Sequence, residues 1–206
     1  MTKRRYFEEL AMAWDQLPRP PDELERACRF VTKALGRPAR YVLDAGCGTG
    51  ILAPALLELG QGARIVELDF AWAMLAVNRS KPGHARLLHV CADALLLPFA
   101  PGSFDLVLCF GLLPHLGDAR RALATLLEVV RPGGALAVGH VMGSQQLNAF
   151  HAQLEGPVNQ DRLPGSAELA GILRDLGAVV ECAEEAPDWY FVRCVKRPAR
   201  AGSVRR

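Results

Sequence analysis

From about residue 40 onward, short apolar segments alternate along the chain with segments of helical character. The apolar segments YVLDA, ARIVELD, ARLLHVCAD, FDLVLCFG and ALAVGHV are rich in the branched and aromatic residues that favour strands. Such alternation predicts a parallel sheet with helices on both faces. The last apolar segment, AVVECAEEAPDWYFVRCVK, predicts two further strands around a turn at residues 187–188, which adds an antiparallel pair at one edge. We therefore expect an α/β fold.

Length and composition narrow the class of protein. A chain of 206 residues is expected to form one domain with a full core. Half of the residues are hydrophobic and 22% are charged, which predicts a globular protein, and no unbroken apolar run is long enough to cross a bilayer. No apolar segment follows the basic start MTKRRYFEEL, so we expect no secretory signal. The six cysteines form no Cys-x-x-Cys pair, which indicates reduced thiols in a cytoplasmic protein.

The formal net charge is only +2, and much of the excess lies in KRPARAGSVRR at the end of the chain. No aromatic residue is interleaved with these basic residues, and no basic stripe occurs elsewhere. We therefore interpret residues 197–206 as a flexible, solubilising tail and do not expect a nucleic-acid partner. An RNA-modifying protein with a basic tail stays an alternative.

The segment LDAGCGTG, residues 43–50, follows the first predicted strand and contains glycine at every second position. In an open parallel sheet, ligands bind beyond the carboxyl ends of the strands where the strand order reverses, and glycines let a ligand approach the backbone there. A dinucleotide site would need a third glycine at position 51, which is Ile51, and a P-loop would need a Gly-Lys-Ser/Thr sequence. The spacing therefore fits neither of these phosphate sites.

This glycine pattern behind Asp44 resembles motif I of the class I S-adenosylmethionine-dependent methyltransferases, specifically the UbiE-like or type 11 branch. The stretches ELDFAWAML, CADALLLPF, SFDLVLCFGLLPHL and EVVRPGGALAV resemble the later motifs of that family at the same offsets, and together they cover residues 41–141. The resemblance implies S-adenosylmethionine as cofactor. It also implies a Rossmann-like seven-stranded sheet of order 3-2-1-4-5-7-6 with the last strand antiparallel, helices on both faces and an N-terminal helical lid.

The resemblance also implies a set of cofactor contacts. Asp69 would accept both ribose hydroxyl groups, which suits a charged bidentate acceptor. Phe70 and Met74 would pack against the ribose and adenine, Asp93 would accept from the adenine amine, and Asp44 would lie near the methionine ammonium. The complete cofactor set implied in this way is Asp44, Ala45, Gly46, Gly48, Gly50, Asp69, Phe70, Met74, Ala92, Asp93, Ala94 and Phe110.

Two positions depart from the family pattern. Glu67 stands where the family usually has glycine or another small residue, and Cys91 stands where it usually has glycine. Both changes alter a side chain near the predicted cofactor site without replacing a predicted contact. They leave the predicted identity of the cofactor unchanged.

Three histidines follow strands or lie in a long loop at the predicted ligand end of the sheet: His115, His140 and His151. They are candidate catalytic and substrate-binding residues, because imidazole titrates near neutrality and can act as a general base. Three such ligands with an open position also form a common zinc site, and a purely structural role is a further alternative. We expect His84 and His89 at the surface or at the sheet edge.

The segments outside the strand–helix alternation are candidates for binding the substrate. Before the first strand, YFEELAMAWDQL and PDELERACRFVTKAL predict two helices that PRPP separates, and Tyr6 and Trp14 are candidate substrate contacts. Asn148, Asn159 and Asp161 could add polar contacts from a long connection. The predicted divisions of the single domain are a helical lid at 1–38, a cofactor-binding core at 39–141, a substrate loop at 142–165, a helix and hairpin at 166–196 and the tail at 197–206.

These features predict a methyltransferase that acts on a small, partly apolar molecule. The family members that methylate the exocyclic amines of bases carry an Asn-Pro-Pro-Tyr or Asp-Pro-Pro-Tyr sequence after the fourth strand, and FGLL stands there instead. Two alternatives remain at this point: a metal- or metalloid-linked methyltransferase that uses the three histidines, and a non-catalytic module that binds S-adenosylmethionine. No motif specifies the acceptor or the oligomeric state.

Overall fold

The computed structural model describes residues 1–59 and 62–198, and seven of its strands form one sheet. Their order is β3-β2-β1-β4-β5-β7-β6, with β7 antiparallel to both of its neighbours, which confirms the predicted topology. The strands are β1 (Tyr41–Ala45), β2 (Arg64–Asp69), β3 (Leu88–Cys91), β4 (Phe104–Phe110), β5 (Val130–His140), β6 (Val179–Ala186) and β7 (Trp189–Val195).

Helices cover both faces of the sheet, as the alternation of elements predicts. The α-helices are α1 (Lys3–Leu10), α2 (Glu23–Leu35), α3 (Ala53–Leu57), α4 (Trp72–Ser80), α5 (Ala119–Val129), α6 (Ser144–His151) and α7 (Ser166–Asp175). One core contains buried residues of α2 and α3, such as Phe30 and Leu56, together with Phe191 of β7. The other contains Leu123 of α5 and Leu173 of α7. The two cores hold the sheet between them.

Local sequence explains why the central elements form. Every residue from Phe104 to Cys109 of β4 is buried, as expected for a strand that is covered on both faces. Helix α5 begins after Asp118, which caps it, because its carboxylate accepts the backbone N–H of Arg121 at 3.0 Å. The carboxyl ends of β1, β2 and β4 consequently lie at one edge of the sheet, where the glycine turn follows β1.

The N-terminal part differs from the predicted pair of long helices. Helix α1 ends at Leu10, and a short 3₁₀ helix at Trp14–Gln16 follows it, so YFEELAMAWDQL is not one helix. Helix α2 packs against the sheet through Phe30, which is fully buried. Of the predicted lid at 1–38, the part before α2 forms a separate cluster in which Phe7 and Ala11 pack against Met74 of α4. We call residues 3–20 the N-terminal segment.

The connection at 142–165 is also more ordered than a simple loop. It contains α6, whose Leu147 is buried, and His151 is the last residue of this helix. Asn148 is bonded to the backbone N–H and carbonyl of Leu163 at 2.8 and 3.0 Å, and Asn159 is exposed. Neither asparagine is among the residues that line the cavity described below, so their contact with a substrate stays a prediction.

Two further predictions concern the membrane and the tail. Within the residues that the structure describes, no helix has the length and apolar character needed to cross a membrane. Most of the predicted basic tail, residues 199–206, lies outside the described residues.

Candidate active site

The glycine turn after β1 has a backbone shape that needs glycine. Gly46, Gly48 and Gly50 all have positive φ angles, of 73°, 54° and 85°. A Cβ atom at position 50 would lie 2.4 Å from Oδ1 of the buried Asn78, so a larger residue would also clash. The turn is tied to β2, because the Gly46 N–H donates to the carbonyl of Leu68 at 2.7 Å. This arrangement leaves bare backbone at the sheet edge.

A cavity of about 630 Å³ lies beyond the carboxyl ends of β1, β2 and β4. Its size is in the range of sites that enclose a small molecule. Most of the predicted cofactor residues line it: Gly46, Gly48, Asp69, Phe70, Met74, Ala92, Asp93, Ala94 and Phe110. Three predicted contacts, Asp44, Ala45 and Gly50, are not among the described residues of its wall.

Asp69 ends β2 at the wall of this cavity and is only 8% exposed. Its Oδ1 accepts the N–H of Ala71 at 2.8 Å, and its Oδ2 accepts the N–H of Gly48 at 3.0 Å. Burial raises the pKa of Asp69, while these two N–H bonds act to lower it. A carboxylate has about four acceptor positions, so two stay available for a diol. A negative charge here would repel a phosphate group, and a ribose diol suits it.

Asp44 and Glu67 form a pair of buried acids behind the cavity. They lie opposite each other on β1 and β2 and are 1% and 0% exposed. Asp44 Oδ2 and Glu67 Oε1 have no hydrogen-bond partner among the described residues. Burial raises the pKa of Asp44, and burial raises that of Glu67 to about 7. The predicted contact between Asp44 and the methionine ammonium stays a prediction, because Asp44 is not part of the described cavity wall.

A buried polar chain extends from this pair and corrects one prediction. Glu67 Oε2 accepts from Asn78 Nδ2 at 2.9 Å, and Asn78 Oδ1 is 2.7 Å from Nδ1 of His84. His84 is 4% exposed, so it is a buried partner of Asn78 and not the surface residue expected from sequence. Burial lowers its pKa.

All three candidate catalytic histidines line the cavity, together with Tyr6 and Trp14. The ring centroids of His115 and His151 are 5.4 Å apart. Among residues 1–59 and 62–198, however, no group of three or more His, Cys, Asp or Glu side chains is arranged to hold a metal ion. The alternative of a three-histidine metal site therefore finds no support in the arrangement of these side chains.

His115 is held by a carboxylate that comes from a distant part of the chain. Its Nδ1 lies 2.6 Å from Oδ2 of Asp161, which is 6% exposed. Burial opposes the ionisation of Asp161, but the bonds from His115 and Lys3 outweigh burial and lower the pKa of this carboxyl. Because the carboxylate accepts the proton on Nδ1, neutral His115 carries its lone pair on Nε2.

His140 and His151 have different hydrogen bonds and therefore different capacities. His140 Nδ1 accepts the N–H of Met142 at 3.0 Å, so the neutral ring carries its proton on Nε2. Burial, with His115 and His151 nearby, lowers the pKa of His140 to about 3. His151 Nδ1 donates to the carbonyl of Asp161 at 3.0 Å, and burial lowers the pKa of His151. His140 is thus a neutral N–H donor and not a base near neutral pH.

The N-terminal segment lies against the same cavity. The ring of Phe7 packs edge-on to His115 at 5.1 Å and contacts Phe70 at 5.9 Å between centroids. Both carboxylate oxygens of Glu8 accept backbone N–H groups of Trp72 and Ala73, each at 2.8 Å, at the start of α4. The N-terminal segment therefore covers the end of the helix that carries Met74.

Sequence reasoning missed the connections made by Lys3 and Glu8, and it assigned Asp161 only a general polar role. Lys3 donates to Asp161, which lies 158 positions later in the chain, and Glu8 reaches the start of α4. No local pattern links positions so far apart. The composition of MTKRRYFEEL indicates only an exposed, charged helix.

Comparisons with known proteins agree with this site. A family model described as a methyltransferase domain matches residues 43–138. A demethylmenaquinone methyltransferase of Thermus thermophilus is 42% identical over 139 residues, which are 64% of this chain and 62% of that protein. One from a Parafrankia species is 32% identical over 212 residues, which cover 89% of this chain and 76% of that protein.

A solved S-adenosylmethionine-dependent methyltransferase from Aquifex aeolicus has the same fold. Its TM-score is 0.68 at 19% sequence identity, and the match covers 95% of this chain and 99% of that one. The present chain spans a little under two thirds of the length of the Thermus relative. With the glycine turn, the acid that ends β2 and these matches, the chain belongs to the family of S-adenosylmethionine-dependent methyltransferases.

Proposed function

We propose that this protein transfers the methyl group of S-adenosylmethionine to a small, partly apolar acceptor, and that the Asp161–His115 pair removes a proton from a hydroxyl group of that acceptor. The observation that carries the proposal is the 2.6 Å contact between Asp161 Oδ2 and His115 Nδ1 at the cavity wall. Of the three histidines that the sequence makes candidate bases, this contact favours His115.

The cofactor would be held by the glycine turn, Asp69, Phe70 and Met74, which line one part of the cavity. When bound, S-adenosylmethionine supplies a methyl group whose bond to sulfur breaks as the acceptor forms its new bond. The protein contributes mainly by orienting the two reactants and keeping water away, as is general for displacements of this kind.

The proton acceptor would be Nε2 of His115. Asp161 keeps the proton of the neutral ring on Nδ1, so the lone pair of Nε2 is available for a substrate hydroxyl. This division of roles between carboxylate and imidazole is the one used by catalytic triads. His140 would donate its Nε2–H to an acceptor oxygen, because its ring stays neutral at physiological pH.

For the acceptor we propose a ring that carries a hydroxyl group, of the reduced-quinone class. The remaining wall includes apolar side chains that would contact such a ring: Leu112, Leu116, Met142, Leu147, Phe150, Leu154 and Val158. The relatives from Thermus and Parafrankia are named for methylation of demethylmenaquinone, which supports this class. Ionising a ring hydroxyl raises the electron density of the ring, so that a ring carbon could form the new bond to the methyl group as its bond to sulfur breaks. That carbon would then lose its hydrogen as a proton, while the oxygen regains the proton held by His115, and the aromatic diol would be restored.

The test is release of S-adenosylhomocysteine with a panel of a reduced naphthoquinone, simple phenols and thiols. We expect turnover with the naphthalenediol, and a loss of about 10²- to 10⁴-fold in His115→Asn and in Asp161→Asn. Asp175→Asn is the matched control, because within the described part of the chain Asp175 pairs only with the exposed Arg120. Binding of S-adenosylhomocysteine by calorimetry should change less than about threefold in all three variants.

Each part of the proposal can fail separately. Full turnover in His115→Asn would overturn the assignment of the base. Tight binding of S-adenosylmethionine without turnover of any acceptor in the panel would favour the non-catalytic alternative. Asp69→Asn should weaken donor binding about 10- to 100-fold, since a charged acceptor of the ribose is lost, and unchanged affinity would overturn the donor assignment.

A further inference from the structure

Lys3 of α1 reaches the Asp161–His115 pair from the beginning of the chain. Its ammonium donates to Oδ1 of Asp161 and, at 2.8 Å, to the backbone carbonyl of His115. The Lys3 side chain is 28% exposed and that of Asp161 is 5% exposed, so the contact is largely shielded from water. Three segments of the chain that are far apart in sequence thus meet at one carboxylate.

The two oxygens of Asp161 have separate tasks. Oδ1 accepts a hydrogen bond from the ammonium of Lys3, and Oδ2 accepts one from Nδ1 of His115. Holding one oxygen fixes the rotation of the carboxylate, so the other is directed at the imidazole. The backbone carbonyl of Asp161 is also fixed, because His151 donates to it at 3.0 Å.

The ammonium of Lys3 also lies among the charged and titratable groups around His115. The others are Asp161 from the 142–165 connection, His140 at the end of β5 and His151 at the end of α6. Lys3 and Asp161 form an ion pair beside the imidazole. Without Lys3, the buried carboxylate would lose this partner and could rotate away from Nδ1 of His115.

The position of Lys3 depends on the N-terminal segment. Glu8 anchors α1 to the start of α4, and Phe7 packs on both His115 and Phe70. In this position of α1, the Lys3 side chain contacts Asp161. We propose that Lys3 is a positioning residue that orients the Asp161–His115 pair when the N-terminal segment covers the cavity. The same position of the segment would thus enclose the reactants and orient the base. This inference rests on the proposed function above.

The test compares kcat and KM in Lys3→Met, Lys3→Arg and Arg5→Met. Arg5 is the matched control, because it carries the same charge on the same helix and its side chain, among the described residues, pairs only with Glu9, at 2.7 Å. We expect Lys3→Met to lower kcat about tenfold or more, because the carboxylate that orients His115 is no longer held. Lys3→Arg should restore most of the rate, and Arg5→Met should resemble the wild type.

The KM for the acceptor and the affinity for S-adenosylhomocysteine should change less than about threefold in Lys3→Met, because Glu8 still anchors α1. A general loss of structure would instead weaken binding and turnover together. A wild-type kcat in Lys3→Met would overturn the inference.

A second measurement separates this inference from the proposed function. The midpoint temperatures of unfolding of Lys3→Met, Asp161→Asn and the double variant form a cycle that needs no substrate. We expect the losses to be clearly less than additive, since each single change removes the same contact. Additive losses would overturn the inference even if His115→Asn is inactive. Coupled losses with full turnover in His115→Asn would show that the base assignment has failed while the contact of Lys3 with Asp161 stands.

Discussion

At the scale of single residues, Glu67 is the least ordinary feature of the chain. It is fully buried on β2, opposite the buried Asp44, and one of its oxygens has no partner among the described residues. Family members usually have a small residue at this place, and the resemblance in sequence gave no role for a carboxyl there. Burial raises the pKa of Glu67 from its usual 4.5 to about 7.

This shift predicts how stability depends on pH. The native state holds the proton of Glu67 more tightly than the unfolded chain does, so the free energy of unfolding should fall as the pH rises from about 4.5 to about 7. We expect this residue to account for a loss on the order of 3 kcal/mol between pH 4.5 and pH 8. Glu67→Gln should remove most of that loss in denaturant titrations at the two pH values.

The control for this prediction is Glu155→Gln, because Glu155 is exposed. It should keep the wild-type pH dependence. If Glu67→Gln and Glu155→Gln show the same slope of stability with pH, then Glu67 does not hold a proton in the native state at neutral pH.

At the scale of elements, two restraints act on the glycine turn: a positive φ angle and close contact with Asn78. Two substitutions can distinguish their effects. Alanine at Gly48 would meet only the cost of a positive φ angle, since no described atom lies within 4 Å of its Cβ. Alanine at Gly50 would carry that cost and would also press on Asn78, which Glu67 and His84 hold in place. Gly50→Ala should therefore lose about 1–3 kcal/mol more unfolding free energy than Gly48→Ala in denaturant titrations. Equal losses would show that Asn78 can move aside.

Helix α1 offers a second matched pair at the same scale. Glu8 accepts two N–H groups at the start of α4, whereas the neighbouring Glu9 pairs with Arg5 and with no other residue that the structure describes. Loss of a helix cap costs about 1 kcal/mol. If the N-terminal segment acts as a lid over the cofactor, Glu8→Gln should weaken binding of S-adenosylhomocysteine up to about tenfold by calorimetry. Glu9→Gln should leave it unchanged, and equal affinities in the two variants would argue against the lid.

At the scale of the whole molecule, a ligand that contacts β1, β2, α4 and the N-terminal segment at once should stabilise all of them. Saturation with S-adenosylhomocysteine at about 100 times its Kd should add about 2.7 kcal/mol, which corresponds to roughly 5–10 °C in Tm. ATP and NAD should give no comparable shift, because the N–H of Gly48, which a phosphate lying on this turn would need, already donates to Asp69. A larger shift with either nucleotide would contradict the cofactor assignment.

The sequence alone determined the alternation of strands and helices, the helices on both faces, the glycine turn and the acid that ends β2, whereas the strand order was implied by the resemblance to the methyltransferase family. The features read from the sequence are encoded locally, since alternating apolar segments, glycines at positive φ and an aspartate at a strand end act over a few residues each. Boundaries of short elements were less predictable. Helix α6 within 142–165 and the break after Leu10 depend on contacts of Leu147 and Phe7 with other parts of the chain.

Only the tertiary structure decided which side chains meet at the cavity. It placed the carboxylate of Asp161 on His115, brought Lys3 to the same carboxylate, and left Asp44 and Glu67 facing each other behind the cavity wall. The residues that hold His115 are 46 and 112 positions away from it. Contacts over such separations follow from how helices and loops pack on the sheet, so local sequence propensities do not predict them.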